Sequence, residues 1–392
     1  MNHRQGLTHA MRESRDILEK LIAFPTVSER SNHDIIAWVE ELLSGAGFTC
    51  RRVESLSGEK SGLYATLGPE GPGGLLMSSH SDVVPVEGQA WTRDAFEMIE
   101  DDGKLYGRGT TDMKGFLACS LAAALRHADR PLKTPLKLSV SYDEEIGCVG
   151  IREMNGDLEP SIGLPDCCIV GEPTSLAVAT GHKGKLFLRA TCRGTPGHTA
   201  MAPDFLNALH LATDLVTGLR GMQEKFATSG ARDEGYEVPY TTIHVAKIAG
   251  GIAANIVPEH ALVEFEVRHL AADDPRQIVS DLRKLADAIA APHRARFPAA
   301  AVEIEELKSY PGLDIDRDHE FVATVLDASH GAKTTKVAYG TEAGFFSALG
   351  IPTVVCGPGN MDQGHRPDEF IARSQLDACD AMLDALIARV CL

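Results

Sequence analysis

Short apolar runs with the length of buried strands recur along this chain, and acidic residues or histidines follow most of them. These runs lie at 74–79, 135–142, 166–171 and 352–356, and helical patterns separate them. Alternation of strands and helices predicts an α/β sheet with helices on its faces. Open sheets of this kind place their functional side chains just beyond the strand ends. The polar residues that follow the runs are therefore the first candidates for a site.

The order of elements predicts two domains, one inserted into the other. A chain of 392 residues is longer than a single hydrophobic core comfortably supports. Residues 182–310 read as strand, helix, strand, strand, helix, strand, which suits a small ferredoxin-like α+β domain. We expect residues 1–181 and 311–392 to form one mixed-sheet α/β domain around this insertion.

Periodicity and breaker residues locate the individual elements. Helices are predicted at 11–22, 32–46, 115–128, 205–226, 275–291, 319–329 and 374–390. Beyond the four runs above, strands are predicted at 62–67, 184–193, 241–248, 254–270 and 300–307.

Charge and composition exclude several functional classes. The formal net charge of −17 argues against binding nucleic acid or an anionic membrane surface. No apolar run is long enough for a membrane-spanning helix, and the polar start lacks the apolar core of a signal peptide. Nine scattered cysteines without a CxxC motif favour reduced core residues over disulfides or a cysteine nucleophile. We therefore expect a cytoplasmic protein.

The segment SSHSDVVP, at 78–85, holds the first candidate metal ligand. His80 follows an apolar run and offers a ring nitrogen of the kind that Zn²⁺ binds. Asp82, two residues on, can accept the other ring N–H of His80 and fix its tautomer. Asp112, flanked by glycines in GRGTTDMKG, is the expected bridge between two ions, although a helix-capping role is the simpler alternative.

Three later segments complete the candidate set. Glu144 and Glu145 follow the run at 135–142, and adjacent residues of an extended chain point to opposite sides. One of them can therefore bind metal while the other remains free to carry a proton. Glu172 in VGEPT is a further plausible ligand, whereas His365 in QGHRPDEF would be unremarkable alone. The combination predicts two metal ions sharing one carboxylate.

These motifs, with PGHTA, resemble in order those of the co-catalytic zinc amidohydrolase and exopeptidase family. The resemblance runs from about residue 14 to the end. It implies one zinc on His80, Glu172 and bridging Asp112. The second zinc would take Asp112, Glu145 and His365, and cobalt can substitute. It also implies that Glu144 is the general base, that Asp82 orients His80, and that the Asp112-Met113 peptide is cis.

The same resemblance assigns roles in the inserted domain. His198, in GTPGHTAMAP, would reach the active site of a partner subunit in a homodimer and stabilise the oxyanion. Asn255 and Arg268 would contact the substrate, and the guanidinium of Arg268 suits a carboxylate. Gly340 and Glu342 lie in the segment YGTEAGFF and are further candidate substrate contacts. Glu342 could hold a side-chain amine, or it could simply be an acid at a helix N-terminus.

The expected function is hydrolysis of the amide of an N-acyl amino acid by water activated between two metals. The segments GGIAANIVPEHALVEFEVR and YGTEAGFFSALGIPTVVCGPG resemble the acetylornithine deacetylase branch, so N-acetyl-L-ornithine is the first candidate substrate. This would place the protein in arginine biosynthesis. Desuccinylation of succinyl-diaminopimelate, general aminoacylase activity and dipeptide cleavage remain alternatives with the same zinc chemistry. A non-catalytic relative that binds a small amino-acid derivative is a more remote alternative, as is a purely structural α/β protein.

Overall fold

The protein is described by a computed structural model over residues 13–28, 30–329 and 333–392. Contacts within the chain divide it into two units. The first comprises Met1–Gly181, Leu313–Lys336 and Thr341–Leu392, and the second comprises His182–Gly312 and Val337–Gly340. The second unit therefore ends beyond the expected boundary at residue 310. It also gains a short later segment that the sequence pattern did not indicate.

The helices and strands follow in chain order. The helices are α1 (Ser14–Ile22), α2 (His33–Gly45), α3 (Lys114–His127), α4 (Val149–Met154), α5 (Leu158–Ile162), α6 (Ala208–Ser229), α7 (Pro275–Ala290), α8 (Glu320–Ala328), α9 (Ala343–Ala348) and α10 (Arg373–Val390). The strands are β1 (Thr49–Glu54), β2 (Ser61–Leu67), β3 (Leu75–His80), β4 (Ile99–Asp101), β5 (Lys104–Tyr106), β6 (Leu136–Ser141), β7 (Cys167–Pro173), β8 (Val178–His182), β9 (Gly184–Arg193), β10 (Gly197–His198), β11 (Thr242–Gly250), β12 (Ile256–Val257), β13 (His260–His269), β14 (Ala301–Tyr310), β15 (Leu313–Asp314), β16 (Thr334–Val337), β17 (Thr353–Gly357) and β18 (Phe370–Ala372).

The main sheet of the first unit has the order β1-β2-β6-β3-β7-β17-β8-β15. Its central strands β6, β3, β7 and β17 run parallel, and β1, β2 and β8 pair antiparallel. Every residue of these four central strands is buried, which explains why each of them carries several apolar residues. The sheet is therefore mixed, as the sequence predicted.

Helix α3 packs closely against this sheet. It contacts β3, β6 and β7 on one side and helices α1 and α10 on the other. Phe116 of α3 lies so close to β7 that a Cβ on Gly171 would fall 1.8 Å from its ring. This close approach seats the helix directly behind the strands that end at the candidate site.

The second unit is an α+β domain with the sheet order β11-β13-β9-β14, all antiparallel. Burial alternates along β9 and β13, so one face of this sheet is buried. Helices α6 and α7 supply the rest of the apolar core, with Leu215 and Leu282 fully buried. The order of elements is the ferredoxin-like one that the sequence predicted.

One predicted strand is wrong. The segment 254–270 forms two strands, β12 and β13, because Pro258 between them has no N–H to give to a ladder. β12 leaves the sheet to pair with β10 instead. Within the residues described, no helix is both long and apolar enough to cross a bilayer.

Candidate metal centre

The candidate ligands meet at one edge of the main sheet. His80 is the last residue of β3, and Glu172 is the penultimate residue of its parallel neighbour β7. Glu145 follows β6, which is parallel to β3 on its other side. Since parallel neighbours end at the same edge, the fold itself brings these three segments together.

The first donor cluster consists of His80, Asp112 and Glu172, and all three residues are buried. The Nε2 atom of His80 is 3.3 Å from Asp112 Oδ1 and 3.6 Å from Glu172 Oε1. One ligand atom from each residue lies within 4.8 Å of the others, a spacing that can surround one ion.

The second cluster shares Asp112 and adds Glu145 and His365. The Nε2 atom of His365 is 3.1 Å from Asp112 Oδ2 and 2.9 Å from Glu145 Oε2. Asp112 thus turns one oxygen to each histidine, which is the geometry of a bridging carboxylate. The Asp112-Met113 peptide is cis, as the family resemblance implied.

Asp82 orients both His80 and the loop after β6. The Nδ1 atom of His80 lies 2.9 Å from the backbone oxygen of Asp82 and 3.4 Å from its carboxylate. The main partner is therefore the carbonyl rather than the expected side chain. The carboxylate instead accepts hydrogen bonds from the Ser28 hydroxyl and the backbone N–H groups of Glu144 and Glu145.

The electrostatics of the two clusters fit divalent cations. Glu145 Oε1 and Glu172 Oε1 are buried, and neither has a hydrogen-bond partner among the described residues. Burial, reinforced by the charge of Asp112, raises the pKa of Glu145 to about 7 and that of Glu172 well above its usual value. Buried carboxylates without enough partners are costly, and nitrogen and oxygen donors are those that Zn²⁺ binds. The residues present therefore suit two metal ions.

Glu144 stands beside the clusters without joining either. Its Oε1 accepts a hydrogen bond from the Cys148 thiol, with a sulfur–oxygen distance of 3.2 Å. Burial raises the pKa of Glu144 well above its usual value, although the positive charge of His80 opposes the shift. The adjacent acids thus have different surroundings, as expected from their opposite directions.

The candidate catalytic residue His198 and the candidate substrate residue Asn255 come together in the second unit. His198 pairs with Ile256 across β10 and β12, next to Asn255. Its side chain is exposed, and its Nδ1 accepts the N–H of Ala200. The carbonyl of Asn255 in turn accepts the N–H of Thr199. His198 and Asn255 therefore share one exposed corner of this unit.

Arg268 and Gly340 are connected by a residue that the sequence did not single out, Tyr310. The Tyr310 hydroxyl accepts a hydrogen bond from Arg268 Nη1 at 2.5 Å, and Arg268 Nε lies 3.0 Å from a Glu266 oxygen. A Cβ on Gly340 would fall 2.1 Å from the Tyr310 ring, so glycine is required there. No local motif marks Tyr310, because its partners come from distant segments.

Glu342 lies in the first unit, away from any open surface. The residue is 1% exposed, and its carboxyl accepts hydrogen bonds from the hydroxyls of Ser78 and Ser141. Burial raises the pKa of Glu342 to about 7. This placement makes it a support beneath β3 and β6 rather than a ready contact for a substrate amine.

This fold and this donor set define a metal-dependent hydrolase with a catalytic domain and an inserted second domain. The chain belongs to peptidase family M20/M25/M40, whose model matches residues 76–389.

Solved structures with the same fold cover almost the whole chain. A tripeptidase from Staphylococcus aureus is 20% identical with a TM-score of 0.73, covering 96% of this chain and 97% of that one. An M20 family metallo-carboxypeptidase from Sulfolobus solfataricus is 18% identical with a TM-score of 0.74, covering 96% and 98%. A dinuclear metal-binding peptidase of the M20 family from Bacillus subtilis is 16% identical with a TM-score of 0.66, covering 99% and 98%.

Proposed function

We propose that this protein hydrolyses the amide of a linear N-acyl amino acid, with N-acetyl-L-ornithine as the first candidate substrate. The pair of donor clusters that share Asp112 carries the hydrolytic part of the proposal. The choice of substrate is supported by the segments 250–268 and 339–359, which resemble the acetylornithine deacetylase branch. The products would be L-ornithine and acetate.

Two Zn²⁺ ions are the proposed cofactor, and Co²⁺ can take their place. His80, Glu172 and Asp112 would hold one ion, and Asp112, Glu145 and His365 the other. When bound, the ions supply the Lewis acidity that activates a water molecule and polarises the acyl carbonyl.

Glu144 is the proposed general base. It belongs to neither donor cluster, so its carboxylate is left to handle protons. It would take a proton from the attacking water and deliver it to the leaving amine. Burial raises the pKa of Glu144, which makes its carboxylate a stronger base toward the attacking water.

The second unit would supply the remaining contacts. His198 of a partner subunit would stabilise the oxyanion in a homodimer, because its imidazole is exposed and free to approach another chain. Arg268 would bind the substrate carboxylate, and Asn255 and Gly340 would line the same substrate. No nucleic acid or membrane enters the proposal.

Glu144→Ala is expected to lower kcat by about 10²–10⁴-fold, the usual contribution of a general acid–base group, with both metals still bound. Steady-state kinetics and elemental analysis measure the two effects separately. The matched control is Glu159→Ala, which removes an exposed glutamate of α5. Near-normal turnover in Glu144→Ala would remove Glu144 from the role of base.

A comparison of kcat/KM tests the substrate. The zinc- or cobalt-loaded protein is assayed with N-acetyl-L-ornithine, N-succinyl-LL-diaminopimelate, N-acetyl-L-methionine and a dipeptide. A clear preference for acetylornithine supports the proposal, and a flat profile points to a general aminoacylase. Preference for the dipeptide would favour a peptidase, the activity named for the similar structures from Staphylococcus aureus and Sulfolobus solfataricus. No turnover with metals bound would favour a non-catalytic binding protein.

A further inference from the structure

A fully buried ion pair lies behind the metal centre and has no role in the proposed chemistry. Arg108 Nη1 is 2.6 Å from Glu369 Oε2, and each side chain is 1% exposed. Neither residue belongs to the donor clusters. Removing two charges from water is expensive, and a buried pair is tolerated only when further hydrogen bonds satisfy it. The other partners of these two side chains therefore indicate what the pair does.

The Glu369 carboxylate gathers the backbone that leads into Asp112. Its Oε2 accepts the N–H of Gly109 at 3.1 Å, and its Oε1 accepts the N–H groups of Thr111 at 2.9 Å and Asp112 at 3.1 Å. The backbone oxygen of Glu369 also accepts the N–H of Gly107. Glu369 thus holds the backbone of residues 107–112 in place and so orients Asp112, the ligand that both clusters share.

Arg108 extends the network to the other histidine ligand. Its Nη2 donates to Gln89 Oε1 at 2.5 Å, and Gln89 Nε2 donates to the backbone oxygen of His365 at 3.2 Å. Arg108 Nη1 lies 3.4 Å from the backbone oxygen of Arg366. His365 has a φ of 60°, in the left-handed region that non-glycine residues avoid unless their surroundings hold them there.

We propose that Glu369, Arg108 and Gln89 form a ligand clamp, a set of positioning residues that fixes Asp112 and His365 at the spacing needed to bind metal. The inference rests on the two-metal centre of the proposed function and not on the choice of substrate. Residues that hydrogen-bond to a metal ligand orient its side chain, and their loss weakens metal binding although they never contact the ion.

Glu369→Gln tests the clamp. The amide replaces one acceptor oxygen with an NH₂ group, which cannot accept the N–H bonds or pair with Arg108. Zinc dissociation constants are measured by competition with a chromophoric chelator, together with zinc content after dialysis and a circular dichroism spectrum. No substrate is involved, so a wrong substrate leaves this test intact.

Two further variants make the result specific. Gln89→Ala breaks the link between Arg108 and the His365 backbone, together with the hydrogen bond that the Trp91 indole donates to Gln89, and its half-exposed position leaves the core untouched. Asp384→Asn is the control, since it weakens a partly exposed ion pair between Asp384 of α10 and Arg126 of α3, away from the ligand loops.

Glu369→Gln is expected to weaken zinc binding at both sites by roughly tenfold to a hundredfold, because Asp112 is shared. Gln89→Ala should weaken one ion and spare the other, and Asp384→Asn should change neither. A folded Glu369→Gln protein with wild-type zinc affinity would overturn the clamp, as would equal zinc loss in the control. If Glu369→Gln does not fold, Gln89→Ala decides: loss of one ion supports the clamp and unchanged binding overturns it. A wild-type chain that binds no zinc would remove the metal centre and the clamp together.

Discussion

At the scale of single residues, Tyr310 shows how a side chain outside every motif can orient a proposed substrate-binding residue. Its ring occupies the space left by the missing side chain of Gly340, and its hydroxyl bonds the Arg268 guanidinium. Glu266 holds the same guanidinium from another direction. Arg268 is therefore pre-oriented, which would reduce the entropy lost if it binds the substrate carboxylate as proposed.

Tyr310→Phe keeps the ring and removes only this hydroxyl. We expect KM for an N-acyl amino acid to rise about tenfold with kcat little changed, because one hydrogen bond to a charged group is lost. The check is steady-state kinetics on Tyr310→Phe, with Tyr240→Phe in the same unit as control. An unchanged KM would show that Tyr310 does not orient Arg268 for substrate.

The ligand residues could be proposed from sequence because each has a local signature. His80 and Glu172 end buried strands, and Asp112 stands between glycines, so chemistry and position coincide within a few residues. Tyr310 lies outside every motif, and Glu369, although it belongs to the motif QGHRPDEF, has a role that only its distant partners reveal. The motif makes Glu342 a candidate contact for a substrate amine or an acid at a helix N-terminus, whereas its carboxyl accepts hydrogen bonds from two buried serines.

At the scale of elements, β3, β6 and β7 are the frame on which the metal centre is built. Their continuous apolar runs made them predictable, and short polar strands such as β4 and β5 were missed because their residues are partly exposed. The strand 254–270 was wrong because length and periodicity outweighed the effect of Pro258. Strands were therefore predicted correctly where burial on both faces requires apolar residues.

Gly171→Ala tests how tightly α3 is seated on this frame. The added methyl would overlap Phe116, and overpacking a core costs about 1–3 kcal/mol. We expect the free energy of unfolding of the metal-free protein to fall by this amount, which lowers the urea concentration at the midpoint of unfolding. Gly156→Ala is the control, because nothing lies within 4 Å of the Cβ it would add. Equal midpoints for the two variants would mean that α3 can move aside.

At the scale of the whole molecule, the chain combines a catalytic unit with a second unit that carries His198. If His198 acts across a homodimer, each active site contains Glu144 of one subunit and His198 of the other. The two residues can then be inactivated in different chains.

Mixing Glu144→Ala with His198→Ala, after partial unfolding and refolding to exchange subunits, is therefore expected to restore activity. A mixed dimer would hold one site with both residues intact, so activity should approach a quarter of wild type for random pairing. Kinetics and sedimentation analysis measure the recovery and the dimer. Two inactive variants that stay inactive after proven exchange would place His198 in its own subunit or outside catalysis.

The discontinuity of the first unit has a consequence for its synthesis. β7 ends at Pro173 and pairs with β17, which begins at Thr353, so residues 174–352 are translated between them. At roughly 5–20 residues per second, the ribosome takes about ten seconds or more to bridge that gap. Throughout that interval the apolar edge of β7 is open on the nascent chain, and open strand edges attract other chains. Chaperones that shield emerging apolar segments therefore have several seconds in which to act on this protein.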